Sequence, residues 1–497
     1  MILASRPCAD CESSDVPICP SANAAAPFGV DVTVTLTQSR AMFQTVEIPI
    51  WLVFLGGLTL TIAVLNRVLV PSVRWFFRAR INRALRRVNE RLQLSIKPFS
   101  LTKRQVLVDR LTYDPVVMSA VEVEARHRGI PNEVAAEEAA RYAREIVPSF
   151  SAATYFLFGV KLSRWIAQKL YRVRLGTNES ASLEGIHADA TVIFVMNHRS
   201  NFDYLLVTYL ASERTSLSYA AGEWAQIWPL EQVAKAMGAF FIRRRSENPL
   251  YRKVLSRYVQ MATEAGVTQA VFPEGGLSRD GKLRPAKLGL LSYILQGFDP
   301  AGTRDVVFIP VGLNYDRVLE DRILVGSELD EKGRPRFRAK VSTALWFFLR
   351  HLWMRMIGKW NRFGYASVSF GAPITLRSLS SDGRIGAEAL GHKLIDAVGK
   401  VVPVLPVPLV AQVLLDSGTP LRRAQIVDRA MVLKDRLVDH GAHFHLPRGD
   451  FDYAVDVGLR ALVRRKVLRE TDEGYRLNPA QEPLLAYYAN SIAHLPR

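Results

Sequence analysis

"MNHRSNFDYLL", residues 196–206, follows the apolar run Thr191–Val195 and sets a histidine and an aspartate five residues apart. On a single helix, His198 and Asp203 would be separated by about 500°, or about 140° once a full turn is removed, and could not face each other. They meet only if His198 lies in the turn after a strand and Asp203 in the first turn of the next helix. Ser200 and Asn201 supply cap-type residues at that boundary. Asp203 would then accept from one imidazole nitrogen, fix the tautomer and leave the other nitrogen as a base. The plainer reading is that Asp203 complements the helix dipole and His198 is an ordinary turn residue. Spacing alone is compatible with both.

The run before the motif is one of four with strand character: Thr191–Met196, Ala270–Phe272, Val306–Val311 and Ala366–Phe370. The first three end in polar, turn-rich segments. The intervening chain is helical in composition, as in "NPLYRKVLSRYVQMATEAG" (248–266). Strands alternating with helices predict an α/β core with a largely parallel sheet, whose site lies at the carboxyl ends of the strands. "NHRSNFD" (197–203) and "PEGGLSR" (273–279) fall at such ends.

With 497 residues the chain is long enough for two or three compact units. Its formal net charge of +18 favours anionic partners: nucleic acid, anionic lipid headgroups or a phosphorylated substrate. All three cysteines, Cys8, Cys11 and Cys19, lie near the amino terminus. The body therefore has neither thiol catalysis nor a disulfide framework. The Cys-x-x-Cys pair has no second pair or histidine cluster nearby to complete a zinc site.

Ile48 to Leu65 is free of charge over eighteen residues, about 27 Å of helix, which matches the hydrocarbon core of a bilayer. Residues 67–91 hold eight arginines and one acid, whereas residues 1–47 hold two arginines and five acids. That asymmetry predicts a spanning helix with the amino terminus outside the cytosol and the body inside. A buried helix of a soluble core is the competing reading. Two basic-aromatic stretches, "VRWFFRARINRALRRVNERL" (73–92) and "ALWFFLRHLWMRMIGKW" (344–360), suit either a lipid surface or packing on the protein itself. The expected organisation is a non-cytosolic tail over 1–47, a transmembrane helix over 48–65 and a basic, helical region over 66–180. An α/β domain over 181–376, a helix and Pro-rich linker over 377–415 and a mostly helical carboxy-terminal domain over 416–497 complete it. "VVPVLPVPLV" (401–410) reads as extended linker. Residues 421–476 read as three helices and a hairpin-like wing, a pattern that also fits a DNA-binding module.

Three further segments bear on the chemistry. "GAFFIRRR" (238–245) places arginines directly after an apolar run, as an anion site would. "FPEGGLSRDGKL" (272–283) follows a strand with Glu274, two glycines, Ser278 and Arg279, and glycines let backbone N–H groups approach an oxyanion or phosphate. "FIPVGLNYDRV" (308–318) ends another strand. No G-x-S-x-G, Walker lysine or H-E-x-x-H occurs, so an acyl-serine or metal route has no support.

With these four segments in this order, the chain resembles the glycerophospholipid acyltransferases. Their H-x4-D block is matched by His198 and Asp203, and the G-x-x-F-I-x-R block by Gly238, Phe241, Ile242 and Arg243. The F-P-E-G block with its S-R is matched by Phe272, Pro273, Glu274, Gly275, Ser278 and Arg279, and the apolar-Pro block by Ile309, Pro310 and Val311. Lys287 and the closing "YYANSIAHL" (487–495) make it look most like the bacterial-type glycerol-3-phosphate acyltransferases. Leu277 departs from the pattern, standing where the family often carries arginine. The resemblance implies an inner-membrane enzyme, its catalytic domain facing the cytoplasm, that acylates glycerol 3-phosphate from acyl-CoA or acyl carrier protein without cofactor or metal. It further implies contact with anionic membrane lipids and none with nucleic acid. His198 would be the base, Asp203 its orienter, and Arg243, Arg245 and Arg279 the phosphate ligands. Glu274, Gly275, Ser278 and Lys287 would complete the substrate site, with backbone N–H groups near Gly275 on the oxyanion. The alternative is acylation of 1-acylglycerol 3-phosphate to phosphatidate.

Overall fold

The computed structural model describes residues 49–69, 72, 75–76, 96–178, 185–187, 189–212, 215–222, 226, 230–243, 246–326, 362–380 and 385–496. The cysteine tail, most of the arginine run, Arg245 and the 344–360 stretch lie outside the described residues. Contacts divide the chain into two compact units, Met1–Arg74 and Trp75–Arg497.

In the first unit, helix α1 (Ile50–Val64) continues through a π-helical turn (Leu65–Leu69). Every described side chain from Trp51 to Arg67 is exposed. Over Ile50–Arg67 this is the one described helix long and apolar enough to cross a membrane. Its apolar residues run all round, so no face is set aside for a protein core.

The second unit is built on a sheet of eight strands: β1 (Arg172–Asn178), β2 (Thr191–Met196), β3 (Ser218–Gly222), β4 (Ala239–Ile242), β5 (Gln269–Val271), β6 (Val306–Tyr315), β7 (Tyr365–Phe370) and β8 (Ile374–Thr375). The order is β1-β7-β6-β2-β5-β3-β4, with β8 against β6. The pairs β6/β7 and β6/β8 are antiparallel and all others parallel. All four expected strands are present, in a largely parallel sheet as the alternation required.

Burial on both faces explains why the strands are almost unbroken apolar runs. Along β2, Val192, Phe194 and Met196 enter one core, while Ile193 and Val195 enter the other. The second core is roofed by α2 (Arg104–Thr112), α3 (Pro115–Arg128), α4 (Asn132–Ile146), α5 (Pro249–Glu264), α6 (Leu288–Gln296) and α7 (Ala387–Val401). The first is shared with α8 (Pro406–Ser417), α9 (Arg423–Asp439), α10 (Phe451–Arg464) and α11 (Glu482–Ala489).

Two sequence expectations differ from this architecture. The proline-rich segment 401–410 is buried throughout and is no linker. Pro406 stands at the first position of α8, with Pro408 two residues on, in the turn where a missing N–H costs nothing. Val407, Leu409 and Val410 then enter the core beside the sheet. One core runs from Ala167 through β2 to Leu495, across positions 181, 377 and 416. The expected wing is present as an antiparallel hairpin, β9 (Leu468–Thr471) with β10 (Gly474–Leu477). Two α-helices and a 3-10 turn precede it, where three helices were expected.

Asp316, directly after β6, fastens these carboxy-terminal helices to the sheet. Its buried carboxylate accepts from the N–H of Val407 at 3.0 Å and of Tyr365 at 2.8 Å.

Candidate active site

β2 lies between β5 and β6, so the loops after β2 and β5 meet at the carboxyl edge of the sheet. His198 sits in the β2 turn and Asp203 is the first residue of the helix Asp203–Ala211. This is the off-helix placement that spacing demanded. His198 Nδ1–H donates to Asp203 Oδ2 at 3.0 Å. The same oxygen accepts from the backbone N–H of Arg199 at 2.7 Å and of Ser200 at 3.0 Å. Tyr315 Oη–H donates to Asp203 Oδ1 at 2.5 Å. His198 Nε2 is buried without a hydrogen-bond partner among the described residues, and its ring stacks at 4.2 Å between centroids, tilted, against Phe272.

The turn is braced from several directions. Asn197 bonds reciprocally to the backbone of Leu313 on β6, at 2.9 and 2.8 Å. Glu320 accepts from the Ser200 hydroxyl at 2.7 Å and the Asn201 N–H at 3.2 Å. Glu274 accepts from the N–H of His198 at 2.8 Å and of Arg284 at 3.2 Å. Ser278 N–H donates to the His198 carbonyl at 3.1 Å. Arg199 extends its buried guanidinium to the carbonyl of Gly281 and, at 3.0 Å, to that of Ser491. The signature near the carboxy terminus thus reaches the turn that carries His198. Gly281 has φ +83°, and a Cβ there would fall 1.9 Å from the Tyr487 carbonyl oxygen, so only glycine admits this approach.

His198 opens onto a cavity of about 480 Å³. Ala220, Ala221, Ile242, Leu255, Val271 and Leu290 form apolar walls, and Arg243, Arg252 and Lys287 bring positive charge. Arg243 forms a fork on Glu145, at 2.8 and 2.5 Å, and lies over the rings of Tyr142 and Tyr251. Its pKa is raised by the hydrogen bond to Glu145.

The expected site residues therefore separate. His198, Arg243, Gly275 and Lys287 line the cavity. Glu274 does not. Its carboxylate is committed to two backbone N–H groups, and burial pushes its pKa up to about 7. The Ser278 hydroxyl donates to the Lys282 carbonyl at 2.8 Å, inside its own loop. Arg279 is half-buried but is not in the cavity wall. Gly275 has φ +68°, and a Cβ there would meet the Lys287 stem at 2.5 Å. Its own N–H donates to the Phe272 carbonyl at 3.0 Å, so that group is unavailable to an oxyanion. Tyr315, Arg199, Glu320, Arg252 and Glu145 had no role in the sequence reading. Tyr315 and Arg199 stand inside quoted motifs, but Glu145, 98 residues before its partner, carried no local signal. Among the described residues no group of three or more His, Cys, Asp and Glu is placed to hold a metal ion.

The sheet and the His–Asp turn define the class. Residues 179–314 match the family model described as Acyltransferase. Residues 353–496 match the family model described as the glycerol-3-phosphate acyltransferase C-terminal region. It is 28% identical over 422 residues to the glycerol-3-phosphate acyltransferase of Pseudomonas entomophila, covering 80% of this chain and 49% of that protein. It is 30% identical over 447 residues to that of Pseudomonas syringae pv. syringae, covering 84% and 51%. The chain thus spans about half the length of these curated relatives. A crystal structure of the 1-acyl-sn-glycerophosphate acyltransferase from Thermotoga maritima is similar at 18% identity and a TM-score of 0.31, over 53% of this chain and 79% of that one.

Glu274→Gln separates support of the turn from substrate contact. The amide accepts through one atom only, so one backbone N–H loses its partner. We expect kcat to fall at least about tenfold, with KM for the acceptor within about twofold, in steady-state kinetics. Because the folded carboxyl titrates above its unfolded value, the stability of wild type relative to this variant should fall as pH rises from about 4.5 through about 7, read by denaturant melts.

Proposed function

We propose that this chain transfers an acyl group from a thioester, acyl-CoA or acyl carrier protein, to a hydroxyl of glycerol 3-phosphate, giving lysophosphatidate for phospholipid synthesis. One observation carries the reading: His198 has Nδ1 held by Asp203 and Nε2 without a partner among the described residues, beside a cavity with apolar walls and three cations. Nε2 takes the hydroxyl proton, and the oxygen attacks the thioester carbonyl. The tetrahedral adduct then collapses, the C–S bond breaks, and the proton passes from His198 to the departing sulfur. Asp203 keeps the imidazole in the required tautomer and stabilises it while charged. No cofactor or metal takes part. The matched family models and the names of the similar proteins support the acceptor.

The phosphate is bound by Lys287 and Arg252 at the cavity wall, with Arg243 adding positive potential while its fork stays on Glu145. Arg279, outside the wall, contributes little. The apolar helix Ile50–Arg67 holds the enzyme in the inner membrane, where anionic lipids surround it and the product partitions. The arginine excess after that helix supports a catalytic body on the cytoplasmic side.

Membranes containing the protein, given labelled acyl-CoA with glycerol 3-phosphate or lysophosphatidate separately, should label product from glycerol 3-phosphate. Preference for lysophosphatidate would reassign the acceptor. His198→Ala should lower turnover at least about 10²-fold in folded protein. Lys287→Ala and Arg252→Ala should each raise KM for glycerol 3-phosphate about tenfold, a loss of about 1.4 kcal/mol, and Arg279→Ala should change it less than about twofold. Topology is read with an impermeant thiol reagent. Cys8, Cys11 and Cys19 should react in intact, reduced cells, and reaction only after lysis would reverse the orientation.

A further inference from the structure

Tyr315 is the last residue of β6, and its phenol ring is buried between Tyr171 and Phe202, with centroids at 5.4 and 6.5 Å. The strand fixes its backbone and the ring packing limits its side chain, so the hydroxyl is delivered to one point. That point is Asp203 Oδ1, at 2.5 Å. The other carboxylate oxygen already receives His198 Nδ1–H and two backbone N–H groups. Among the described residues Oδ1 has no other donor, so Tyr315 balances that side of a fully buried carboxylate. Burial and the neighbouring Asp203 charge hold the phenol pKa well above its ordinary value, so the group stays a donor.

We propose that Tyr315 is a positioning residue of the His198–Asp203 pair, acting through Asp203 without touching substrate. The inference rests on His198 being the base. The tyrosine does two things at once. It anchors the carboxylate plane, so that Oδ2 stays aimed at Nδ1. It also draws charge density toward Oδ1, which moderates the grip of Asp203 on the imidazolium. A base held too tightly in its charged form is slow to return the proton to the leaving sulfur and is freed only at higher pH.

Tyr315→Phe removes one oxygen and keeps the ring packing. We expect kcat to fall about tenfold, with KM for both substrates within about twofold. The acidic limb of the pH–kcat/KM profile should move to higher pH by about half a unit or more, the size of one hydrogen bond. A purely structural loss would lower the amount of active enzyme without moving that limb. Asp203→Asn supplies the second leg of a cycle. With no carboxylate to hold, adding Tyr315→Phe should cost less than about twofold more. An unmoved profile, or losses that multiply in the double variant, would overturn the proposal. If His198→Ala keeps its turnover, the base assignment fails and the proposal falls with it. If His198→Ala is inactive while Tyr315→Phe behaves as wild type, only the role of Tyr315 is refuted.

Discussion

The carboxylate of Asp203 is fully buried, and a buried charge costs several kcal/mol unless it is met by donors. Among the described residues it has four: His198 Nδ1–H, the N–H of Arg199, the N–H of Ser200 and the Tyr315 hydroxyl. Three of these lie within five residues before it, so satisfying the charge and folding the 198–203 turn are one event. The turn that solvates Asp203 also holds the imidazole by Nδ1 and leaves Nε2 without a partner among the described residues. Positioning of the imidazole is thus a by-product of meeting an electrostatic demand, and it does not depend on a flexible loop finding one geometry among many.

A second buried ion ties the carboxy-terminal half to that turn. The Arg199 guanidinium is met by carbonyl oxygens at Gly281 and Ser491, one from the loop after β5 and one from the end of the chain. Asn314 on β6 adds a hydrogen bond to the Pro403 carbonyl at 2.9 Å, and Asn490 one to that of Asp280 at 2.8 Å. Farther out, Arg465 pairs with Asp321 at 2.5 Å, and Tyr488 donates to the same carboxylate. These polar bonds lie alongside a core that is continuous from the sheet into the last helices. The segments matched by the two family models, 179–314 and 353–496, therefore build one structure. Among the described residues, both hydrophobic cores draw side chains from both parts.

One cation of the cavity is already engaged within the protein. Arg243 borders the cavity, yet its fork is already used by Glu145 and its faces by Tyr142 and Tyr251. It supplies fixed positive potential, and a ligand anion must compete with a bidentate carboxylate to reach its N–H groups. Lys287, whose stem passes over Gly275, is a compact charge on a flexible stem. The positive-φ glycine makes room for that stem, which links the P-E-G-G turn to the electrostatics of the site.

The amino-acid sequence by itself determined the α/β class, the four strands it was expected to form and the turn that brings His198 to Asp203. Each is a short-range property: an apolar run buried on both faces, or a spacing no helix satisfies. It misread the segment at 401–410, because three prolines in a short run suit an exposed linker and the first turn of a buried helix equally well. It also passed over β1, an edge strand whose partner, β7, begins 193 residues farther on. Only the tertiary structure decided who holds whom. Glu274 supports the His198 backbone across 76 residues, Tyr315 reaches Asp203 across 112, and Arg199 reaches Ser491 across 292. Such partners are chosen by which strands lie side by side and which helix closes over them. A residue's spacing from its chain neighbours carries no record of that choice.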